Sequence, residues 1–323
     1  MKSSILHILK QSSDWVSGEN LCRDLGVSRT AVWKHIRGLR EDDYDIEARA
    51  NLGYRLLSVP DVPYPDEVAD GLGTAVIGNR IDFFTDLPTT NGKAKELALA
   101  GCPEGTVVVA ESQSGGKGRM DRVWFSPESR GLWFTVVLRP QVNLVETPQS
   151  TMVVAVAVAL AIHENTGVAV DIKWPNDLLV EGKKICGILV ELNAEMDRVN
   201  FMVAGIGLNV NIDHGEFPSE LSDMATSLKI AAGHHIPRVP LLRAILQSFE
   251  VWYQRWLQDG FAPVLNMWRE LCVTLDCPVT VHNIKESYIG HAIDVDETGA
   301  LLVKLPDSTV QRLVAGEVSL RKI

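Results

Sequence analysis

The sequence predicts an α+β protein of three domains, and three observations support this prediction. The first 58 residues contain helical patterns followed by two strand-like runs. A long middle region alternates apolar strand-like runs with amphipathic helical patterns, which predicts a mixed β-sheet with helices. After Pro278, five short strand-like runs are separated by turn residues, which predicts a small β-barrel. We therefore expect domains at residues 1–62, 63–272 and 273–323.

Composition narrows the classes of protein to consider. The 323 residues are 46% hydrophobic and carry a net charge of −10, so any DNA site must be a local basic surface. Five scattered cysteines and the lack of a signal-peptide pattern predict reduced thiols and a cytoplasmic protein. The longest apolar run, residues 152–162, is too short to cross a bilayer, so we expect no membrane segment.

The first domain has the pattern of a winged helix-turn-helix. After a short first helix, Ser17 can cap a second helix that ends at Gly26, and Ser28 can cap a third helix that reaches about Arg40. Two strand-like runs follow, joined by residues 50–53, and this hairpin would form the wing. A basic helix after a glycine-containing turn is the arrangement that reads DNA.

The third helical pattern separates an apolar face from a basic surface. Val32, Ile36 and Leu39 recur at the spacing of one buried helix face, and no acidic residue lies between Ser28 and Glu41. The predicted DNA-binding residues are Ser28, Arg29, Thr30, Lys34, His35 and Arg37. The pattern leaves open a protein-interaction domain whose basic face is merely solvated.

A glycine-rich cationic loop lies between two apolar segments of the middle domain. Residues 106–110 predict a buried strand before the loop, and Trp124 and Phe125 return the chain to a core after it. Glycines let backbone N–H groups approach an anion, and cations neutralise it. The residues of this kind are Gly115, Gly116, Lys117, Gly118, Arg119 and Arg122. We expect the loop to cover a phosphate-bearing ligand, although the pattern alone also fits a solvated hairpin.

Two common phosphate-binding motifs are excluded for this loop. A Walker loop requires Ser or Thr after its lysine, and Gly118 follows Lys117. A dinucleotide fingerprint requires a third glycine where this chain has Asp121.

The loop and a second segment, residues 171–192, resemble the biotin–protein ligases. The motifs that carry this resemblance are Gly-Lys-Gly-Arg with Arg-x-Trp-Phe-Ser-Pro, then Lys-Trp-Pro-Asn-Asp and Lys-Ile-x-Gly-Ile-Leu-Val-Glu, in that order. The resemblance runs nearly end to end and points to the bifunctional form that also represses the biotin operon. It implies a central fold of the biotin/lipoate ligase kind and an SH3-like C-terminal domain that includes residues 316–321.

The resemblance implies a reaction in two steps. The carboxylate of biotin attacks the α-phosphate of ATP, which gives biotinyl-5'-AMP and pyrophosphate. A lysine amine on a carboxylase carrier domain then displaces AMP. Mg²⁺ is expected on the phosphates. Repressing members of the family bind the operator DNA of biotin genes and form a homodimer when the adenylate is bound. The alternatives are a lipoate ligase and a ligand-sensing repressor without transfer activity.

The resemblance also implies roles for individual residues. The catalytic residues would be Lys184, Arg119 and Asp177. The biotin-binding residues would be Thr89, Thr90, Asn91, Gln113, Lys117, Gly118, Arg119 and Lys184. The nucleotide-binding residues would be Gly116, Lys117, Arg119, Arg122, Trp124, Lys173, Trp174, Asn176 and Asn209. We assign no metal ligand.

Several of these residues have a purely structural interpretation when the pattern is taken alone. Thr89, Thr90 and Asn91 stand at the start of a helix, where they could act as caps. Asn209 could belong to a core strand, and Lys184 could be a solvated lysine in the turn at residues 181–184.

Asp121 departs from the family pattern, which has glycine at that position. We expect its carboxylate to pair with Arg119 or Arg122 in the free protein and to weaken retention of the adenylate. The alternative is that Asp121 points to solvent or binds the backbone N–H groups of the loop. Aspartate tolerates the left-handed backbone region better than most residues, so the loop can still turn there.

Overall fold

The computed structural model describes residues 1–196, 198–282, 287–314 and 319–322. The chain separates into two compact units, Met1–Val62 and Pro63–Ile323. The first unit coincides with the predicted first domain. The second unit contains both the predicted middle domain and the predicted C-terminal domain, and the division between those two remains a prediction.

The first unit has the predicted winged helix-turn-helix order. Its elements are α1 (Lys2–Gln11), α2 (Gly18–Leu25), α3 (Arg29–Glu41), β1 (Asp45–Arg49) and β2 (Gly53–Ser58). The predicted caps are confirmed, because the Ser17 side chain accepts from Asn20 N and the Ser28 side chain accepts from Ala31 N. Gly26 ends α2 with a φ of 66°, a conformation that favours glycine.

The wing is the antiparallel hairpin of β1 and β2. It is fixed to the preceding loop by paired backbone hydrogen bonds between Val16 and Tyr54. Trp15 packs under the same hairpin, because the guanidinium carbons of Arg49 and Arg55 lie 5.3 and 4.9 Å from its ring centre. The wing therefore has its own cation–π anchor.

The second unit begins with helices arranged around a mixed sheet. Its first elements are α4 (Pro65–Ala69), β3 (Ile81–Leu87), α5 (Thr90–Leu99), β4 (Val107–Gln113), β5 (Gly131–Leu138), α6 (Gln149–Thr166), β6 (Asp171–Lys173), β7 (Asp177–Val180), β8 (Lys183–Glu195), β9 (Arg198–Asn209), α7 (Leu228–Ala232), α8 (Arg238–Asp259) and α9 (Ala262–Leu271). The seven strands have the order β3-β4-β5-β9-β8-β7-β6. Only the β3–β4 pair is parallel among these strand pairs, so the predicted mixed sheet is confirmed.

Helix α6 is the apolar centre of this unit. The segment Leu144–Thr166 has the length and hydropathy of a membrane-crossing helix, and 72% of its most apolar window is buried inside the protein. Because α6 packs against α8, α9 and the sheet, packing within the protein accounts for its apolar composition.

The C-terminal strands form a separate antiparallel sheet. They are β10 (Cys277–His282), β11 (Ser287–Val295), β12 (Leu301–Lys304), β13 (Val310–Leu313) and β14 (Ser319–Lys322), in the order β13-β12-β11-β10-β14. This confirms the five predicted strands. The predicted turn at Asn283 and the Gly316, Glu317 and Val318 part of the family motif lie outside the described residues.

Two boundaries differ from the sequence prediction in ways that affect the site. Strand β8 already begins at Lys183, so Lys184 belongs to a strand and the turn is confined to Glu181 and Gly182. Helix α5 begins at Thr90, four residues before Ala94, where the helical composition of the sequence begins. Both differences arise because polar side chains stand at the first positions of elements whose apolar pattern starts later.

Candidate active site

Three glycines on β8 and β9, Gly187, Gly205 and Gly207, form the base of the site and are called the glycine floor. Gly187 on β8 is paired with Gly207 on β9, and Gly205 lies two residues before Gly207 on the same strand. A Cβ atom at Gly207 would lie 2.3 Å from Trp124 Nε1, and one at Gly187 would lie 3.0 Å from Trp124 Cζ3. A Cβ at Gly205 would lie 2.1 Å from Asn91 Oδ1. Only glycine lets these side chains lie directly on the strands.

The cationic loop is a tight hairpin that carries Trp124 over this floor. Gly118 N–H donates to Arg122 O at 2.7 Å, and Trp124 N–H donates to Gly116 O at 2.9 Å. A Cβ at Gly116 would lie 2.5 Å from Trp124 O, so the two sides of the hairpin touch. The hairpin therefore depends on glycine for its close backbone approach.

The loop turns through two left-handed residues. Met120 and Asp121 have φ values of 57° and 54°. The Asp121 carboxylate lies 3.8 Å from the Lys117 ammonium and its side chain is 93% exposed. The predicted pairing of Asp121 with Arg119 or Arg122 is therefore wrong. Among the described residues its ion pair is with Lys117, four residues earlier in the chain.

Lys184 is the cation at the centre of the site. Its ammonium lies 2.5 Å from Asp177 Oδ1 and 5.2 Å from the centre of the Trp124 ring. The backbone of Lys184 is held on its other edge, because its N–H donates to Met224 O and its carbonyl oxygen accepts from Thr226 N–H. The predicted alternative, a solvated turn lysine, is wrong.

Arg119 is a partly buried cation with one unpartnered donor group among the described residues. Its Nη1 donates to Asn176 Oδ1 at 3.0 Å, whereas Nη2 is buried and has no hydrogen-bond partner in the described part of the chain. Burial lowers the pKa of this guanidinium, Arg122 lowers it further, and Asp177 opposes both. Arginine stays charged nonetheless, so Arg119 offers an unpartnered cationic donor.

The Trp124 indole N–H is a second buried donor that has no partner among the described residues. Buried donors in folded proteins are nearly always hydrogen-bonded. Two such donors, on Arg119 and Trp124, lie on one loop beside the Lys184 ammonium. The arrangement suits an anionic ligand that supplies the missing acceptors.

A chain of polar side chains borders the glycine floor near the start of α5. Gln113 Oε1 accepts from Thr90 N–H at 2.8 Å, and Gln113 Nε2 donates to Ser126 Oγ at 2.9 Å. Thr90 and Asn91 are both buried, and the Thr135 hydroxyl lies within hydrogen-bond distance of each. Thr89 makes no side-chain capping bond, so the purely structural cap interpretation of Thr89 is not supported.

Two of the predicted nucleotide-binding residues are buried and hydrogen-bonded within the protein. Trp174 is 2% exposed, and its indole N–H donates to Gly299 O at 3.1 Å. The expected packing of the Trp174 ring beside a nucleotide stays a prediction. Asn209 is also buried, and its Nδ2 donates to Thr226 O at 3.1 Å, which holds the segment that pairs with Lys184.

The remaining predicted residues surround this centre. Lys117 and Arg122 are exposed on the loop, where they are free to reach phosphate groups. Lys173 is the last residue of β6 and is paired with Asp177 across the strands. The described residues include no group of three or more His, Cys, Asp or Glu side chains arranged to hold a metal ion.

Sequence reasoning missed one buried ion pair next to the loop. Arg238 Nη1 lies 3.1 Å from Glu111 Oε2, with both side chains about 5% exposed or less, and Ser129 Oγ donates to the same carboxylate. Glu111 precedes the loop and Ser129 follows it, so the Ser129–Glu111 hydrogen bond holds the two ends of the loop together. The partners are 127 positions apart, and no local pattern indicates such a pairing.

The predicted DNA-binding residues lie on the exposed side of α3 in the first unit. Ser28, Arg29, Thr30, Lys34 and Arg37 are exposed and His35 is half-buried. Trp33 was not predicted, yet it is 53% exposed on the same helix with the Arg37 guanidinium 5.0 Å from its ring centre. Trp33 directly follows Val32, which lies on the predicted buried face of the helix, and this spacing already indicated that Trp33 lies outside that face.

Three family models match this chain. The model of the biotin/lipoate A/B protein ligase family matches residues 84–211. A helix-turn-helix domain model matches residues 2–55, and the model of the biotin protein ligase C-terminal domain matches residues 278–321.

Known proteins resemble the chain over nearly its full length. The bifunctional ligase/repressor BirA of Bacillus subtilis (strain 168) is 39% identical over 321 residues, which is 99% of this chain and 98% of that protein. The protein of the same name from Escherichia coli (strain K12) is 28% identical, over 97% of this chain and 95% of that protein. The solved structure of biotin protein ligase from Aquifex aeolicus in complex with biotin and ATP has a TM-score of 0.66 and 27% identity, and the match covers 76% of this chain and all of that one. The chain therefore belongs to the family of bifunctional ligase/repressors that includes these BirA proteins.

Proposed function

We propose that this chain is an ATP-dependent biotin–protein ligase that also acts as a biotin-responsive transcriptional repressor. The observation that carries the proposal is the full-length, 39% identical match to a bifunctional ligase/repressor. The helix-turn-helix match at residues 2–55 supports the repressor half, and the cationic site of the second unit supports the ligase half.

The ring of biotin would lie beside the glycine floor. Gly205 lets the Asn91 side chain lie directly on β9, and Thr90 and Gln113 supply polar atoms next to it. A ureido ring has both N–H and carbonyl groups, so it needs acceptors and donors in a confined space. The apolar remainder of biotin would then extend along the strands toward Lys184.

The carboxylate of biotin would meet Lys184. One of its oxygens attacks the α-phosphorus of ATP, a P–O bond forms, and the bond to pyrophosphate breaks. The Lys184 ammonium offsets the repulsion between carboxylate and phosphate, and Asp177 keeps that ammonium in the site until the substrate arrives.

The phosphates would be held by the cationic loop. The free Nη2 of Arg119 and the exposed cations of Lys117 and Arg122 supply positive charge from one side. Trp124 offers a ring face for the nucleotide base. We propose that Mg²⁺ arrives on the phosphates of ATP, because Asp177 is ion-paired with Lys184 and the described residues provide no acidic cluster.

In the second step a lysine amine on a carboxylase carrier domain attacks the acyl carbon of the adenylate. The C–N bond forms, the bond to the AMP oxygen breaks, and the amine loses a proton. Asp177 is the acid nearest to Lys184 and is the proposed group that orients the incoming amine. Lys184 would polarise the acyl carbonyl.

The first unit would bind the operator DNA of biotin genes in the cytoplasm. We propose that two chains bind together when the adenylate is present, so that two copies of α3 reach successive half-sites. The exposed cations Arg29, Lys34 and Arg37 would make the phosphate contacts.

A transfer assay tests the enzymatic half. The chain is incubated with ATP, Mg²⁺, an isolated biotin carboxyl carrier domain and an equimolar mixture of biotin and lipoate; the mass of the carrier and the release of pyrophosphate are measured. The proposal predicts a mass increase of one biotinyl group that requires ATP. A carrier that gains lipoyl instead would favour a lipoate ligase, and adenylate formation without transfer would favour a sensor that has lost the second step.

A gel-shift assay tests the repressor half. DNA from the promoter of biotin genes should bind more tightly when biotin and ATP are present than when both are omitted. Equal affinity under both conditions would contradict the ligand-dependent switch, and no binding at all would contradict the repressor.

A further inference from the structure

Trp33 is the one tryptophan of the chain that is exposed. It is 53% exposed on α3, whereas the other seven tryptophans, which all belong to the described residues, are buried or half-buried. An indole ring is a large apolar group, so leaving it in water forgoes the free energy that burial would supply. Tryptophan is also enriched where a protein surface binds a partner. The exposed ring therefore indicates a contact surface on α3.

The surroundings of Trp33 are cationic. Arg29 and Arg37 lie four residues before and four residues after it, so the three side chains share one side of the helix. Thr30 and Lys34 lie beside this row, and all four neighbours are exposed. The whole chain carries a net charge of −10, so these cations form a local basic surface on an acidic protein. An aromatic ring within such a surface suits a nucleic acid better than an acidic or uncharged surface would.

Arg37 restricts the movement of the Trp33 ring. Its guanidinium carbon lies 5.0 Å from the centre of the ring, which is the range of a cation–π contact. Its Nε lies 3.4 Å from Glu41 Oε1, so Trp33, Arg37 and Glu41 form a row along the helix. A ring that is held in place before binding loses less conformational entropy when it contacts a partner.

We propose that Trp33 is a specificity-determining residue that contacts the methyl group of a thymine in the major groove. This inference rests on the proposed repressor function. Thymine is the base that presents an apolar group on its major-groove edge. The neighbouring cations can contact phosphates, and such contacts position the helix but carry no sequence information. The uncharged indole of Trp33 instead contributes to the choice of base.

Replacement of thymine by uracil tests this contact, because the two bases differ only by the methyl group. The full chain, with biotin and ATP present, is titrated against promoter DNA of biotin genes in which the thymines are replaced one at a time. Fluorescence anisotropy measures the affinity. Wild type should lose about fourfold in affinity at one thymine of each half-site, the size expected for one buried methyl group.

Trp33→Ala should not respond to uracil at that thymine. Its affinity for the unmodified promoter should fall about tenfold, because both half-sites lose the contact. Its affinity for DNA of unrelated sequence should not change, because the phosphate contacts remain. Trp33→Phe keeps an aromatic ring and should retain part of the preference for thymine. Leu257→Ala is the control, because it removes an exposed apolar side chain from α8 of the second unit and should behave like wild type.

Three results would overturn this inference while the proposed repressor stands, because wild type binds the promoter in each of them. The first is an equal loss of affinity for promoter and unrelated DNA in Trp33→Ala, which would assign the ring to general binding. The second is an undiminished effect of uracil in that variant. The third is wild-type affinity in Trp33→Ala, which would leave the ring for contact with a protein. A wild-type chain that does not bind the promoter would contradict the proposed repressor function itself.

Discussion

The ammonium of Lys184 lies 2.5 Å from the carboxylate of Asp177, which stands on the neighbouring strand β7. The same ammonium lies 5.2 Å from the centre of the Trp124 ring. A carboxylate ligand that binds Lys184 must therefore share this cation with Asp177. Removal of the lysine would leave the Asp177 carboxylate facing the substrate carboxylate without any charge between them.

Lys184→Ala should lower the rate of biotin-dependent pyrophosphate exchange by about 10²-fold, the usual effect of losing one preorganised charged group at a reacting centre. Lys183→Ala is the matched control, because Lys183 precedes it on the same strand and makes none of the contacts described for the Lys184 side chain. Far-ultraviolet circular dichroism should show both variants folded. Equal exchange rates in the two variants would show that the Lys184 ammonium does not take part in adenylate formation.

Gly207→Ala should impair binding of both substrates. A Cβ at this position would lie 2.3 Å from Trp124 Nε1, so the indole would have to leave the strand. We expect the KM values for biotin and ATP to rise about tenfold or more, equivalent to about 1.4 kcal/mol. Steady-state kinetics of the exchange reaction measure this.

Gly215→Ala is the control for that substitution, because a Cβ there would meet nothing within 4 Å. It should have wild-type constants. If Gly207→Ala behaves like Gly215→Ala, the close approach of Trp124 to the glycine floor has no bearing on substrate binding.

Local sequence patterns were sufficient for much of the fold. The caps at Ser17 and Ser28 depend on residues only three positions apart, and the structure contains both. The strand order of the sheet was not predicted, because pairings such as β5 with β9 depend on contacts between distant segments. Local sequence patterns therefore predict individual helices and strands well, but they do not predict which strands pair with each other.

The same distinction applies to the candidate site. The loop cations and the Lys-Trp-Pro-Asn-Asp segment stand out as motifs in the sequence. Which of their side chains are buried depends on the packing of the folded chain, and the motifs do not show it. Trp174 and Trp124 are both motif tryptophans, and of these two Trp124 alone has an indole N–H without a partner among the described residues. The Glu111–Arg238 pair has no motif, because its partners meet only in the folded chain.

Asp121→Gly should change the rate of adenylate release more than Asp121→Asn does. Asp121 has a φ of 54°, which glycine adopts without strain and asparagine also tolerates. Its ion pair with Lys117 is long and its side chain is almost fully exposed, so loss of the charge should have little effect. Stopped-flow fluorescence of biotinyl-adenylate dissociation measures the two rates.

Comparison of Asp121→Gly with Asp121→Asn separates the effect of the carboxylate charge from the effect of the backbone conformation. An equal change of release rate in both would show that the carboxylate matters, against our expectation. An unchanged rate in both would remove Asp121 from any account of adenylate retention.

Lys34→Ala should weaken DNA binding in a way that does not depend on sequence. Lys34 is exposed on α3 and has a point charge suited to phosphate contact. Its loss should reduce the slope of log affinity against log salt concentration by about one. Fluorescence anisotropy over a range of salt concentrations measures the slope. Lys304→Ala, an exposed lysine of the C-terminal sheet, should leave it unchanged; a Lys34→Ala slope equal to that of wild type would remove Lys34 from the DNA contacts.

Acid-dependent exchange of labelled pyrophosphate into ATP tests the central claim most directly. The purified chain is incubated with ATP, Mg²⁺ and labelled pyrophosphate, together with biotin, with lipoate or with no acid. The account predicts that label enters ATP with biotin and not with lipoate or without an acid. Exchange with lipoate but not with biotin would identify a lipoate-activating enzyme, and no exchange with any acid would contradict the assignment of this chain as an active biotin–protein ligase.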